Sequence, residues 1–280
     1  MCAFAAFTDN ERAARAALAA HFTPAQTGAA ADDFDPAEEW GRRVEADRSG
    51  RLGRHRPAAE LQRGELTARF LIPGDPEWPA QLADMGENCP LGLWVRGNPD
   101  VLTQRPMAVV GNRAASDTAL HRARGFAEAA VSAGLRVSAT LALGIDSTAH
   151  QAALGAGGSG VAVLPCGLDQ CHPYAHITLL HEVVNGGAAV SVCPPGTRAS
   201  LRTLRASEAL VVALSRAVVL VEALERSVAM VYADAARSLA RPLFVPPADY
   251  DDPRASGNAR LLDEGAGEPA PLTYWVTGQL

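Results

Sequence analysis

Lysine is absent from this chain. All 25 basic residues are arginine, set against 31 acidic ones and a formal net charge of −6. An acidic chain does not attract polyanions through its overall field. Any nucleic-acid contact must therefore come from a local arginine cluster. Aromatic residues make up only 5%, which leaves Ala, Val and Leu to build the core. Cysteine is sparse and odd in number: Cys2, Cys89, Cys166, Cys171 and Cys193, with no C-x-x-C pair. That usage argues against a disulfide framework and points to reduced thiols in a cytoplasmic protein. No apolar run reaches the ~18 residues of a membrane span. Arg12 and Arg15 interrupt the Ala-rich stretch near the start, so a leader peptide is not expected.

What is present is a chain of 280 residues, 48% hydrophobic, enough for a sizeable core. Asn10 to Ala20 has the pattern of an amphipathic helix, and Gly28 to Arg56 suggests further short helices with loose connections. Residues 1–66 are accordingly expected to form a small helical domain. From Phe70 the texture changes. Pro73, Gly74, Pro76, Pro79 and Pro90 punctuate a loop-rich approach, after which apolar strands alternate with helical stretches. The strands are expected at Met107–Val110, Leu135–Ser138, Gly160–Leu164, Ala188–Val192, Ala217–Val221 and Pro242–Val245. Helical patterns lie between them at Ser116–Ser132, Asp146–Leu154, Tyr174–Val184, Leu204–Leu214 and Ala229–Leu239. Continuous apolar runs suit strands buried on both faces, and their alternation with helices predicts a doubly wound, mainly parallel α/β sheet. The expected division is 1–66, 67–266, and a peripheral tail over 267–280.

In such a sheet ligands sit at the carboxyl ends of the strands. Four loops there carry candidate chemistry. In Val110-Gly111-Asn112-Arg113-Ala114-Ala115-Ser116 a strand ends and a helix begins, with Ser116 as N-cap. It reads either as an ordinary βα turn or as a phosphate site served by Arg113 and the helix start. In Leu143-Gly144-Ile145-Asp146, Gly144 permits a tight turn, Asp146 can cap the next helix, and His150 falls on the same helical face. No G-x-G-x-x-G run leads from a strand into a helix, so the dinucleotide fingerprint is missing. Cys166, Gly167, Cys171, His172 and His176 share a third loop, whose spacing fits no usual zinc pattern, and no metal is expected. The fourth segment, Gly196 to Arg205, holds Arg198, Arg202 and Arg205 with no acid among them. It reads either as a solvated loop or as contacts along a nucleic-acid backbone.

Taken together these blocks resemble the DprA/Smf family, from about Phe70 to Ala266. The match includes Pro73-Gly74-Asp75-Pro76-Glu77-Trp78-Pro79, then Leu93-Trp94-Val95-Arg96-Gly97-Asn98 and Val110-Gly111-Asn112-Arg113 with Ser116. It continues through Leu141-Ala142-Leu143-Gly144-Ile145-Asp146 with Ala149-His150, Cys166-Gly167-Leu168-Asp169 and Val221-Glu222-Ala223. It ends on Ser256-Gly257-Asn258 with Gly265-Ala266. The resemblance implies an extended Rossmann-like fold, a homodimer, binding of single-stranded DNA, and loading of the RecA recombinase during natural transformation. It implies a binding protein without cofactor rather than an enzyme. The implied DNA or phosphate contacts are Gly111, Asn112, Arg113, Ser116, Gly144, Asp146, Gly167, Arg202, Arg205, Ser256 and Gly257.

The departures from the family pattern cluster at these loops. Asn112 stands where the family usually has Ser. Ala139-Thr140 replaces Ser-Gly, which is expected to narrow the pocket. His172-Pro173 and His176 replace Tyr-Pro and Asn, and Ser227-Val228-Ala229-Met230 replaces Ser-Gly-Ser-Leu. Ser207-Glu208-Ala209 falls on the usual Arg-Asn-Arg, so two positive charges vanish and a negative one enters. Arg202 and Arg205 are expected to compensate. The alternative is a divergent Rossmann-like protein that binds a nucleotide or another phosphorylated small molecule.

Overall fold

The computed structural model describes residues 2–31, 33–247 and 252–269. Its centre is a sheet that contains, among the described residues, nine strands in the order β1-β2-β6-β5-β4-β3-β7-β8-β9. In chain order these are β1 (Arg69–Leu71), β2 (Leu93–Gly97), β3 (Met107–Val110), β4 (Val137–Ala139), β5 (Gly160–Val163), β6 (Ala188–Ser191), β7 (Ala217–Leu220), β8 (Leu243–Val245) and β9 (Glu268–Pro269). From β6 to β9 every pairing is parallel. β2 joins β6 antiparallel, and β1 joins β2 in the same way. The sheet is thus mainly parallel and Rossmann-like, as the strand–helix alternation predicted.

The Pro-rich approach from Phe70, expected to be loop, instead contains β1 and β2. Both strands are short, and proline falls between them rather than within them. The Phe70 and Trp94 rings pack with centroids 4.8 Å apart, which anchors the pair on one face of the sheet. The sheet also runs on through Pro269, so the tail expected from residue 267 begins inside it; residues 270–280 lie outside the described residues.

Side chains alternate across the strands as a period of two requires. Ala108, Val110, Val161, Val163, Val218 and Leu220 face a core shared with α8 (Leu201–Leu214) and α9 (Met230–Ser238). Met107, Val109, Val137 and Val219 face the opposite way, towards α5 (Asp117–Ser132) and α6 (Ile145–Gly155). Alanine lines the contacting faces of α5 and α6, so these helices approach closely with few aromatics. Ser116 caps α5 by accepting from the Ala119 amide at 3.1 Å. A capping box of Ser200 and Thr203 starts α8 three residues earlier than its apolar pattern indicated.

The N-terminal helices are α1 (Cys2–His21), α2 (Pro24–Thr27), α3 (Pro36–Ala46) and α4 (Pro57–Glu65). Of these, α1 and α4 lie against the β1–β2 edge. Ala13, Ala16 and Leu61 share a buried cluster with Phe70 and Trp94, and Arg12 pairs with Asp75 at 2.8 Å while donating to the Phe70 carbonyl. A Cβ on Gly64 would stand 2.4 Å from the Trp94 ring, so this glycine sets how near α4 comes to β2. α7 (Ile177–Gly186) covers the same side of the sheet, and α10 (Ser256–Asp263) follows β8.

Asn258 of α10 joins β7 to the helical layer. It is fully buried, accepts from the Ala223 amide at 2.7 Å and donates to the Leu220 and Val221 carbonyls at 3.1 Å each. Asn258→Ala strips these buried backbone groups of partners and should cost about 2–4 kcal/mol, lowering Tm by roughly 4–12 °C. Thermal unfolding followed by circular dichroism checks this; a shift below ~2 °C would mean that water replaces the side chain.

Candidate phosphate-binding crevice

The chain steps from β3 outward through β4, β5 and β6, then crosses back to place β7 on the other side of β3. Ligand crevices open at such reversals, outside the carboxyl ends of the strands. Here the loops after β3, β4, β5 and β7 surround two adjoining hollows of 140 and 470 Å³ that share Arg113, Ala142 and Glu208. Thr140, His172 and Leu204 help line the smaller; Gly111, Asn112, Asp146, Tyr232, Arg226 and Arg254 help line the larger.

The loops are held by two buried acids. Asp146 is 1% exposed. One of its oxygens accepts from the Gly111 amide at 3.2 Å; the other accepts from the Thr140 amide and hydroxyl at 3.1 and 2.6 Å and from the Tyr232 hydroxyl at 2.8 Å. Burial pushes its carboxyl up while these donors hold it down, and burial also raises the Tyr232 phenol, which stays a donor. Asp146 therefore does not cap α6, as its position suggested; the N-cap is Gly144. His150 does not pair with it either. Its Nε2 lies 3.3 Å from the Ala139 carbonyl, and burial lowers its pKa to about 4, so it is a neutral core histidine.

Glu222, at the end of β7, is the second acid. It accepts from the Ser116 hydroxyl at 2.5 Å, the Ser116 amide at 3.3 Å and the Asn112 side-chain amide at 3.0 Å. At the start of α5, where a phosphate was expected to be favoured, Glu222 thus takes the amide and hydroxyl of the N-cap residue Ser116. Asn112 also donates to the Arg254 carbonyl and accepts from the Leu224 amide. Asn112 and Ser116 are thus buried ties between β3, β7 and the segment before α10. Arg113 is different. Its side chain is 46% exposed and reaches into both hollows.

The remaining predicted residues divide. Gly144 has φ of 84°, and a Cβ there would stand 2.4 Å from the Asn112 carbonyl oxygen, so it locks the β4 loop against the β3 loop. Gly257 lies as tightly on the Ala223 carbonyl, and Ser256 accepts from the Glu225 amide at 3.2 Å. Gly167 is buried behind Pro194 and Pro195. Arg205 is exposed on α8, one turn from Glu208. Arg202 does not extend the crevice; it lines a separate apolar hollow with Phe22, Met85 and Leu210. Thr140 lines the smaller hollow, with its hydroxyl turned onto Asp146. Gly155-Ala156-Gly157-Gly158-Ser159-Gly160 has the G-x-G-x-x-G spacing, but it leads from α6 into β5, at the opposite end of the sheet from the crevice.

Sequence reasoning missed Arg226 and Arg254. Both are exposed at the larger hollow, Arg254 held by Asp252 at 3.1 Å. Their signal was position alone: each belongs to a segment that follows a strand's carboxyl end. Among the described residues no group of three or more His, Cys, Asp or Glu side chains is placed to hold a metal. Cys166 is a core residue, its thiol pushed up to about 12 by burial. No helix of the described residues is long and apolar enough to cross a membrane.

Glu208 sits between the two arrangements. It is 5% exposed; one oxygen lies 3.7 Å from Arg113, and the other has no hydrogen-bond partner. Burial first, then the neighbouring Asp146, push its carboxyl up to about 8, against the pull of Arg113 and Arg205. The folded chain therefore holds a proton that the unfolded chain releases between the ordinary value of 4.5 and about 8. Stability from this group falls as pH rises through that window and levels off above it. Glu208→Gln, neutral at every pH, should match the parent's Tm below about pH 5 and exceed it by roughly 2–6 °C at about pH 8.5. Thermal scans at the two pH values check this, and an equal difference at both would refute the burial argument.

Comparison with known proteins places this arrangement. The family model described as DNA recombination-mediator protein A matches residues 69–270. A Mycobacterium tuberculosis relative that carries the DprA name is 36% identical over 210 residues, covering 71% of this chain and 54% of the relative. Protein Smf of Escherichia coli is 35% identical over 204 residues, covering 72% and 54%. The chain spans about half the length of these two curated relatives. The X-ray structure of DNA processing protein A from Streptococcus pneumoniae superposes with a TM-score of 0.74 at 26% identity, covering 89% of this chain and 83% of that one. A Helicobacter pylori DNA processing protein A, solved for its single-stranded DNA binding mode, shares the fold with a TM-score of 0.68 at 22% identity, covering 75% and 95%. With the family match extending over most of the chain and the crevice formed by the same segments, this protein belongs to the DprA/Smf family of DNA recombination-mediator proteins.

Proposed function

We propose that this protein binds single-stranded DNA along the crevice at the carboxyl edge of its sheet, acts as a homodimer in the cytoplasm, and hands the strand to the RecA recombinase during DNA uptake. The observation that carries this reading is the exposed Arg113 over a hollow that Arg226 and Arg254 also line. Spaced arginines can track successive phosphates, and an acidic chain with a local basic site binds a strand without general polyanion affinity. The names of the Mycobacterium tuberculosis and Streptococcus pneumoniae relatives support a role in DNA processing, and the work on the Helicobacter pylori protein is titled for single-stranded DNA binding. The reading is of a binding protein, with Glu222 and Asp146 as framework rather than catalysts.

A second reading keeps the pocket and changes the ligand. At 470 Å³ the larger hollow has the size of a small-molecule site, so a nucleotide or other phosphorylated metabolite would also fit.

Titration of a labelled single strand of ~30 nucleotides at two salt concentrations, with duplex and mononucleotide as competitors, separates the two. Strand binding with a salt slope of several units supports the first reading; competition by mononucleotide with a slope near one supports the second. Arg113→Ala should weaken strand binding about tenfold and shallow the slope by about 0.7, one phosphate's share. Unchanged affinity and slope in the folded variant would remove Arg113 from the site. Light scattering at micromolar concentration should give the dimer mass.

A further inference from the structure

Glu208 has an unusual position for an acid. It lines both hollows of the crevice beside Arg113, yet its nearer oxygen stands 3.7 Å from that guanidinium, beyond a hydrogen bond. Its other oxygen is buried and partnerless. The groups around it are Arg113 from the β3 loop, Asp146 from α6, Tyr232 from α9 and Arg205 from its own helix, with His172 lining the smaller hollow. Asp146 and Tyr232 are bonded to each other, and neither is hydrogen-bonded to Glu208. A protonated carboxyl here is a donor without an acceptor, and it stands next to a cation that also lacks a close acceptor. An oxyanion between the two satisfies both.

We propose that Glu208, in its protonated form, is a ligand of the oxyanion bound by Arg113: its carboxyl O–H donates to one oxygen while the guanidinium holds another, and binding takes up a proton. This deepens the phosphate reading of Arg113 and rests on it, the oxyanion there being a phosphodiester of the strand. No covalent bond changes; the proton comes from solvent and stays on the carboxyl. The ionised residue would do the opposite, turning its charge on Arg113 and repelling the ligand. The site thus holds a donor that depends on a proton. Because the free carboxyl titrates at about 8, affinity should be flat below that pH and fall above it, by up to about tenfold per pH unit.

The test is calorimetric titration near pH 8 in two buffers of different ionisation heat, with a ~30-nucleotide deoxyadenylate strand and, separately, sodium sulfate as probes. Neither probe titrates there. The protein should take up about half a proton per bound site, and Glu208→Gln, which keeps the shape and a donor, should take up none. At about pH 9 the variant should bind the strand roughly tenfold more tightly than the parent, while near pH 6.5 the two should agree within about threefold. Strand binding without proton uptake, and with the same pH profile in both proteins, overturns the role of Glu208 and leaves the DNA reading standing. Sulfate binding with proton uptake and no strand binding supports the Glu208 site and overturns the DNA reading. Binding of neither probe at any pH overturns both.

Discussion

The carboxyl edge of this sheet is assembled on the buried carboxyl of Asp146. Four donors converge on it from the β3 loop, the β4 loop and α9. A buried carboxyl is tolerated only when its oxygens are satisfied, and satisfying them here forces three separate segments into one geometry. The Gly144 turn and the placing of Tyr232 under the crevice floor follow from that convergence. The residue resembling a cap in the sequence is therefore a clamp in the fold.

Glu222 performs the corresponding task on the other side of β3. By bonding Ser116 and Asn112 it satisfies the start of α5 from within. The consequence is a division of labour along Gly111-Asn112-Arg113: the glycine packs against Glu222 and Ile145, the asparagine ties strands together, and only the arginine is left facing the opening. A loop with the composition of a phosphate cradle is thus mostly scaffold, and its one exposed charge is Arg113. Thr140 joins the two features, since its hydroxyl completes the Asp146 clamp while the residue lines the smaller hollow.

The departure from the family pattern at Ser207-Glu208-Ala209 acquires meaning in this setting. On an exposed helix face an added acid would be solvated and of little consequence. On α8 it is enclosed between a guanidinium and a second buried acid, where burial and Asp146 push its carboxyl up to about 8. Arg202, expected to offset the lost charge, points instead to the junction with the N-terminal helices. Arg226 and Arg254 line the larger hollow from two other segments, one after β7 and one after β8.

The sequence by itself determined the alternation of buried strands and helices, because apolar continuity over four or five residues and caps such as Ser116 are local properties. It also determined the family, through ordered blocks that no single motif could establish. The edge strands β1 and β2 escaped it: each is only a few residues long, and their pairing with β6 joins segments far apart in the chain. Which arginines face the crevice was likewise decided only by tertiary structure. Arg202 and Arg205 are three residues apart, but the packing of α8 gives Arg202 to another hollow, while Arg226 and Arg254 meet at one hollow from opposite ends of a return through α9 and β8. Charge pattern is a property of the chain, but the field in a pocket depends on distances across it, and those exist only once the sheet has closed its loops around Asp146 and Glu222.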